Sequence, residues 1–232
     1  MRFSCADFTF PLLPHDRVFA LIRLLDLYAV DLGIFAGRSH VQPRDILGDV
    51  PGAARTMRES LARHGLGASD VFVQTGAEPA IQAANDPDAA VRAENRRVFL
   101  AIVEYAAAIG CEHVTGLPGV RHADVDEAAD WELAVEEAVW RRDAAAAYEL
   151  TYAVEAHVGS ILPGVAETLR FVGDAGVTLT LDYGHFVYQG RPASEPDALL
   201  PHASHFHARG GCAGQLQSTM KDNVIDFASI VR

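Results

Sequence analysis

Short apolar segments alternate along the chain with longer segments whose apolar residues recur every three or four positions. The short segments predict β-strands, and the spacing within the longer ones predicts amphipathic helices. In the first long segment, this spacing is seen at Val18, Leu21, Ile22 and Leu25. The predicted strands span residues 3–10, 28–35, 71–75, 113–116, 152–155, 177–182 and 204–207. The predicted helices span residues 15–26, 43–64, 86–110, 126–150, 163–175 and 222–232.

We interpret this order as seven strand-then-helix units, which implies a parallel sheet with helical crossovers. An open doubly wound sheet is the competing interpretation, but the Gly-rich turn G-x-G-x-x-G that it usually carries is absent. The 232 residues are close to the roughly 250 of a typical (β/α)₈ barrel. We therefore expect an α/β fold, a (β/α)₈ TIM barrel, as a single domain over residues 1–232. Arg232 falls inside the helix that follows the seventh predicted strand, so we expect the eighth strand and helix to be absent from this sequence.

Composition and charge narrow the function classes. Half of the residues are hydrophobic and 22% are charged, which is ordinary for a globular protein. The net charge of −12 disfavours a nucleic-acid partner, because an acidic surface repels phosphate. Three widely spaced cysteines without a C-x-x-C pair indicate free thiols in a reducing compartment. The chain shows neither a signal peptide nor a long apolar run, so we expect a cytoplasmic protein without a membrane partner.

Ionisable residues stand at the ends of three consecutive predicted strands, at Glu155, Asp182 and His207. Catalytic groups of parallel barrels lie at this end of the strands. A charge in such an apolar setting is costly unless it is paired or bound to a metal. Carboxylate and imidazole together suit Mn²⁺, Mg²⁺, Co²⁺ or Zn²⁺, so we expect one divalent metal ion as cofactor. His205 lies on the same strand face as His207, so spacing alone does not show which of the two histidines is the metal ligand.

A divalent ion at this position predicts a particular chemistry. It can polarise the carbonyl of a hydroxy-aldehyde or hydroxy-ketone, acidify the neighbouring C–H and stabilise the resulting ene-diolate. A carboxylate beside the ion can then carry the proton. The expected partner is therefore a small polyhydroxy molecule.

Three segments resemble the strand-five, strand-six and strand-seven motifs of the xylose-isomerase-like sugar phosphate isomerase/epimerase family. These segments read Val-Glu-Ala-His at 154–157, Leu-Asp-Tyr-Gly-His at 181–185 and His-Phe-His-Ala-Arg at 205–209. The resemblance implies that Glu155 is a metal ligand and an acid/base, and that Asp182 and His207 are ligands. It also implies that His185 contacts the substrate and contributes to catalysis.

Two further residues near these motifs are candidate substrate contacts, His157 and Arg209. The alternative for His157 is that it only orients a neighbouring side chain, and for Arg209 that it is a solvated loop residue. The chain departs from the family pattern at Gly210, where an Asp is common. It also lacks the Glu that the family places at the end of strand eight, so we expect reduced activity and stability.

The leading hypothesis is a metal-dependent isomerase or epimerase of a sugar, a cyclitol or a related hydroxy-carbonyl compound. A dehydratase on the same scaffold is an alternative, because both reactions begin with metal-assisted proton abstraction. A degraded barrel that binds metal or ligand without turnover is another. An endonuclease for abasic DNA is disfavoured by the acidic charge. A homo-oligomer is possible.

Overall fold

The computed structural model of the chain describes residues 2–230 and contains a seven-stranded parallel sheet. The strands follow one another in chain order, and each pairs in parallel with the next. The strands are β1 (Cys5–Ala6), β2 (Ala29–Phe35), β3 (Gly67–Gln74), β4 (His113–Gly116), β5 (Thr151–Val154), β6 (Thr178–Leu181) and β7 (Ala203–Phe206). This order confirms the predicted fold class, a TIM barrel whose described residues contain no eighth strand.

Helices connect the strands, as the apolar periodicity predicts. They are α1 (His15–Leu24), α2 (Pro43–Gly48), α3 (Val50–His64), α4 (Ala89–Ala108), α5 (Glu127–Ala146), α6 (Val165–Ala175), α7 (Tyr183–Tyr188) and α8 (Phe227–Ile230). The structure contains no helix in residues 2–230 that is long and apolar enough to cross a membrane.

The predicted helix over residues 43–64 is two helices. Asp49 separates them, with an extended backbone at φ −159° and ψ 82°. Its carboxylate accepts a hydrogen bond from the Gly52 N–H at 3.0 Å and so caps α3. Pro51 fits the first turn of α3, where an amide hydrogen is not needed.

The predicted first strand over residues 3–10 is much shorter than expected. Only Cys5–Ala6 pairs with β2, and Asp7–Thr9 forms a 3₁₀ turn instead. The turn brings the Asp7 carboxylate to the Gly33 N–H, which donates to it at 2.9 Å. A side-chain acceptor thus ends β1 early, which an apolar pattern does not reveal.

The apolar periodicity does not predict the two helical segments between β6 and β7. These are α7 and a 3₁₀ helix over Glu195–His202. Five consecutive residues of α7 are buried, so that helix has no polar face and no helical period to detect. The predicted helix over residues 222–232 begins only at Phe227, after Asp226, which caps it by accepting from the Ser229 N–H. Residues 231 and 232 lie outside the described residues.

The sheet curves so that its late strands face its early ones. His205 on β7 contacts Asp31 on β2, with His205 Nε2 3.1 Å from Asp31 Oδ2. His113 on β4 likewise contacts Ser204 on β7, with Nε2 2.8 Å from Oγ. Because the strands run in parallel, their carboxyl ends meet at one end of the curved sheet, where the predicted site residues lie.

Candidate metal and substrate site

Glu155, Asp182 and His207 come together at the carboxyl end of the sheet. Each is the first residue after its strand, β5, β6 or β7. One ligand atom from each lies within 4.8 Å of the others. Glu155 and Asp182 are 5% and 2% exposed. The structure therefore places two buried carboxylates and one imidazole around a common point.

Asp182 is held by the start of α7, which it caps. Its Oδ1 accepts a hydrogen bond from the Gly184 N–H at 2.7 Å, which leaves Oδ2 to face the other site residues. A Cβ at Gly184 would lie 2.8 Å from Asp182 Oδ1, so a glycine is needed for this close approach. Burial raises the pKa of Asp182, and the nearby Glu155 charge raises it further, although Arg209 acts in the opposite direction.

Glu155 and His207 form a close ion pair, with His207 Nδ1 donating to Glu155 Oε1 at 2.6 Å. Burial opposes the ionisation of Glu155, but His207 and His185 outweigh it and hold its pKa well below the ordinary value. Burial also disfavours the charged form of His207, yet Glu155 raises the pKa of His207 to about 9. The Nε2 of His207 is buried without a hydrogen-bond partner in residues 2–230. Because the raised pKa keeps the ring protonated at neutral pH, Nε2 can bind a metal ion only after it loses its proton.

His185 on α7 faces both carboxylates. The Val158 N–H donates to its Nδ1 at 3.1 Å, so the neutral imidazole carries its proton on Nε2. That Nε2 lies 3.6 Å from Glu155 Oε2 and 3.7 Å from Asp182 Oδ2. His185 thus presents an N–H group at the edge of the carboxylate pair.

Arg209, in the segment after β7, lies against the same group. Its Nε is 2.7 Å from Asp182 Oδ2, although the contact is off the N–H direction and forms no regular hydrogen bond. Its Nη2 is 2.8 Å from His185 Nε2. Two N–H groups at that distance do not attract each other, so we attribute the position of the guanidinium to the Asp182 carboxylate.

His157 lies beside His185, with the two ring centroids 6.1 Å apart. Its Nδ1 is 2.9 Å from the Val158 carbonyl, which fixes the proton on Nδ1 and leaves Nε2 as an acceptor. This Nε2 is buried and has no hydrogen-bond partner among the described residues. Burial lowers the pKa of His157, so the ring is neutral at ordinary pH. All six predicted site residues are therefore close to one another, joined by Glu155, Asp182 and His185.

An aromatic wall borders the site on the side of the early strands. The Phe72 ring lies 5.6 Å from the His207 ring, and the Phe8 ring lies 6.4 Å from it. Phe35 packs edge-on against both phenylalanines at 5.0 and 5.1 Å. A Cβ at Gly33 would lie 2.6 Å from the Phe8 ring, so this packing requires a glycine on β2. The wall fixes the ring of His207 and gives the site one apolar side.

Below the site, a polar network that was not predicted fills part of the barrel interior. Asp31 accepts hydrogen bonds from Ser4 and Ser69 and contacts His205. Asp70 pairs with His113, whose Nδ1 is 2.7 Å from its Oδ1. The available signal is a charge at Asp31 and Asp70 within otherwise apolar strands. Burial raises the pKa of Asp31, but the His205 contact outweighs it and lowers the value overall.

Comparison of folds places this geometry among known proteins. A D-tagatose 3-epimerase-like protein superposes with a TM-score of 0.77 at 16% identity, covering 100% of this chain and 85% of the other. The probable 3-DHS dehydratase AsbF of Bacillus anthracis superposes with a TM-score of 0.75 at 10% identity, covering 100% and 88%. A xylose isomerase-like TIM barrel protein from Mycobacterium smegmatis, solved in complex with magnesium, gives a TM-score of 0.69 at 16% identity, covering 90% and 74%.

At such identities the similarity establishes the fold alone. No curated protein matches this chain in sequence. Residues 24–232, however, match the sequence profile of the xylose isomerase-like TIM barrel. That match covers most of the chain and includes all of the strands except β1. The chain therefore belongs to the xylose isomerase-like TIM barrel family.

Proposed function

We propose that this protein is a divalent-metal-dependent isomerase or epimerase of a sugar, a cyclitol or a related hydroxy-carbonyl compound. The observation that carries the proposal is the convergence of Glu155, Asp182 and His207 within 4.8 Å at the carboxyl end of the sheet. Two buried carboxylates and a half-buried imidazole at one point offer both a metal site and a proton carrier.

The donor set fits a divalent ion. Two buried carboxylates at close range repel each other, and a dication removes that repulsion. The unpartnered Nε2 of His207 provides a nitrogen donor. Glu155, Asp182 and His207 would hold the ion, and carboxylate with imidazole suits Mn²⁺, Mg²⁺, Co²⁺ or Zn²⁺. When bound, such an ion polarises a substrate carbonyl and stabilises the negative charge that follows loss of the neighbouring proton.

Glu155 is the proposed proton carrier of the reaction. Its contacts with His207 and His185 keep it ionised, so it is ready to accept a proton from the carbon next to the substrate carbonyl. Returning that proton to the adjacent carbon, while the hydroxyl proton moves to the former carbonyl oxygen, gives an isomer. Delivering a proton from a second group to the opposite face of the same carbon gives an epimer, and Glu155 then releases the abstracted proton to solvent. Epimerisation by this route needs a second proton donor, and because His207 is a proposed ligand, His185 is the candidate, with Nε2 3.6 Å from Glu155 Oε2.

The remaining polar groups would position the substrate. His185 presents an N–H, His157 presents an unpartnered acceptor nitrogen, and Arg209 presents a guanidinium. Hydroxyl and carbonyl oxygens of a substrate can accept hydrogen bonds from His185 and Arg209, and a substrate hydroxyl can donate one to His157. A small polyhydroxy molecule therefore suits the site, and the net charge of −12 favours such a partner over nucleic acid.

Deuterium exchange tests this function directly. The metal-loaded protein is incubated in D₂O with a panel of ketoses and aldoses, and products are followed by NMR. We expect deuterium at the carbon next to the carbonyl, together with an isomerised or epimerised sugar, because proton abstraction precedes either product. Loss of water from the substrate without isomerisation would support the dehydratase alternative. A Glu155→Gln variant that exchanges deuterium as fast as the wild type would contradict the proposed proton carrier.

Replacing His185 separates a substrate contact from a metal ligand. We expect His185→Ala to lower kcat/KM about 10–100-fold, the effect of losing one or two hydrogen bonds to the substrate, while metal content stays unchanged. His64→Ala is the matched control, because it removes an imidazole that pairs with Asp16 on the surface. Activity and metal content are measured on the same preparations. Parallel loss of metal and activity in His185→Ala would show that His185 is a ligand instead.

A further inference from the structure

A second cluster of ligand-type side chains lies at the first two strand-to-helix connections. Asp7 follows β1, His15 is the first residue of α1, and His40 lies in the segment between β2 and α2. One ligand atom from each lies within 4.8 Å of the others. None of these residues belongs to the site formed by Glu155, Asp182 and His207, and the sequence motifs do not include them.

The facing atoms of this cluster are buried and lack hydrogen-bond partners. Asp7 is 1% exposed, and its Oδ1 accepts from the Gly33 N–H at 2.9 Å. Its Oδ2 lies 3.0 Å from His15 Nε2 and 3.8 Å from His40 Nδ1. Despite these short distances, none of the three atoms has a hydrogen-bond partner among the described residues. They approach one point without satisfying one another, as ligands around an ion do.

The orientation of the His40 ring also suits a metal ligand. His40 Nε2 is 2.9 Å from the Leu13 carbonyl, which places the ring proton on Nε2 and the lone pair of Nδ1 toward Asp7. Histidine ligands commonly donate their other N–H to a carbonyl in this way. The His15 and His40 rings are stacked at 4.5 Å and 11°, and Phe19 packs 4.3 Å from His15. Because the lone pair of an imidazole lies in its ring plane, one of the two stacked rings would rotate out of the stack when both bind one ion.

We propose that Asp7, His15 and His40 bind one divalent transition-metal ion, with Zn²⁺ as the best fit to two imidazoles and a carboxylate. Tetrahedral ligands about 2.0–2.1 Å from zinc lie roughly 3.3 Å from each other, and the distances from Asp7 Oδ2 of 3.0 and 3.8 Å bracket that spacing. The His15 and His40 side chains are 21% and 10% exposed, which leaves room for a water as fourth ligand.

Such an ion would join three separate segments. It ties the end of β1 to the start of α1 and to the connection after β2, next to Gly33 under the aromatic wall. β1 pairs over only two residues, so the backbone holds this segment weakly. The proposed role is therefore structural, to fix the first strand of the barrel, and it does not depend on the proposed function.

Zinc stoichiometry tests the proposal. Two other groups of ligand-type side chains share His207, namely Glu155, Asp182 and His207, and Asp31, His205 and His207. The double variant Asp182→Ala and His207→Ala disrupts both groups and serves as the background. After chelator treatment, Zn²⁺ is titrated into this background in competition with a chromophoric chelator. We expect one Zn²⁺ per chain, at least a tenfold loss of affinity when His15→Ala and His40→Ala are added, and no change when His64→Ala is added instead. Wild-type protein is expected to bind two.

If the histidine variants fail to fold, a second measurement tests the proposal on protein in which Asp7, His15 and His40 are unchanged. X-ray absorption at the zinc edge of the background protein is expected to show two imidazoles and oxygen ligands at about 2.0–2.1 Å. Sulfur at about 2.3 Å would instead assign the ion to a cysteine and overturn the proposal. A background protein that binds no zinc would also overturn it.

Discussion

Glu155→Gln is expected to lower turnover about 10²–10⁴-fold, the usual loss when a general acid/base is removed. Glutamine has nearly the same shape as glutamate, so packing around this 5% exposed side chain is retained. It cannot accept a proton from carbon, and it offers the ion a neutral oxygen in place of a charged one. The substitution also removes the carboxylate that holds the His207 ring at 2.6 Å. Since His207 is a proposed ligand, we also expect weaker metal binding.

Two measurements separate these effects. The exchange rate in D₂O is compared at a metal concentration that saturates both proteins, so that the remaining difference reflects proton transfer alone. Glu112→Gln is the matched control, because Glu112 carries the same charge on an exposed side chain, 3.5 Å from Arg2. We expect the control to match the wild type. A Glu155→Gln variant within threefold of the wild type at saturating metal would contradict the proposed role of Glu155.

The candidate site could be predicted from the sequence because its residues follow a simple rule of parallel sheets. Glu155, Asp182 and His207 each directly follow a short strand, and the carboxyl ends of parallel strands share one end of a barrel. Once the strands were identified, the proximity of the three residues followed without any knowledge of distances. Their roles as ligands stay predictions until metal binding is measured.

Contacts across the barrel could not be predicted from the sequence. His205 meets Asp31 and His113 meets Ser204, over separations of 174 and 91 residues. Such pairs depend on how far the sheet curves, and no local period records curvature. The same limit applies to His15 and His40, which stack although a helix and a strand separate them along the chain.

The periodicity of apolar residues also could not predict which side chains cap helices or end strands. Asp49 divides one predicted helix, and Asp7 ends the first strand, each by accepting a hydrogen bond from a backbone N–H. A polar residue within a regular pattern reads as an exposed position. Only the three-dimensional structure shows that its side chain replaces a backbone partner.

Removing one member of the buried pair formed by Asp70 and His113 is expected to destabilise the fold strongly. Asp70 is fully buried, and His113 is its one hydrogen-bond partner among the described residues, at 2.7 Å. His113→Leu leaves the Asp70 carboxylate buried without a partner. Removing one member of such a pair typically costs about 3–5 kcal/mol, so we expect a loss of this size in the free energy of unfolding.

Urea denaturation followed by circular dichroism measures this loss, and two further variants test its cause. Asp70→Leu combined with His113→Leu removes both polar side chains, so we expect it to be less destabilised than His113→Leu alone. His122→Leu is the matched control, because Asp130 keeps hydrogen bonds from the Asn85 side chain and the His122 backbone N–H, both at 2.7 Å, after the imidazole is lost. We expect its loss of stability to be clearly smaller than that of His113→Leu. Equal losses in these two single variants would mean that an unpartnered carboxylate is not the cause, and that lost packing of the ring accounts for both.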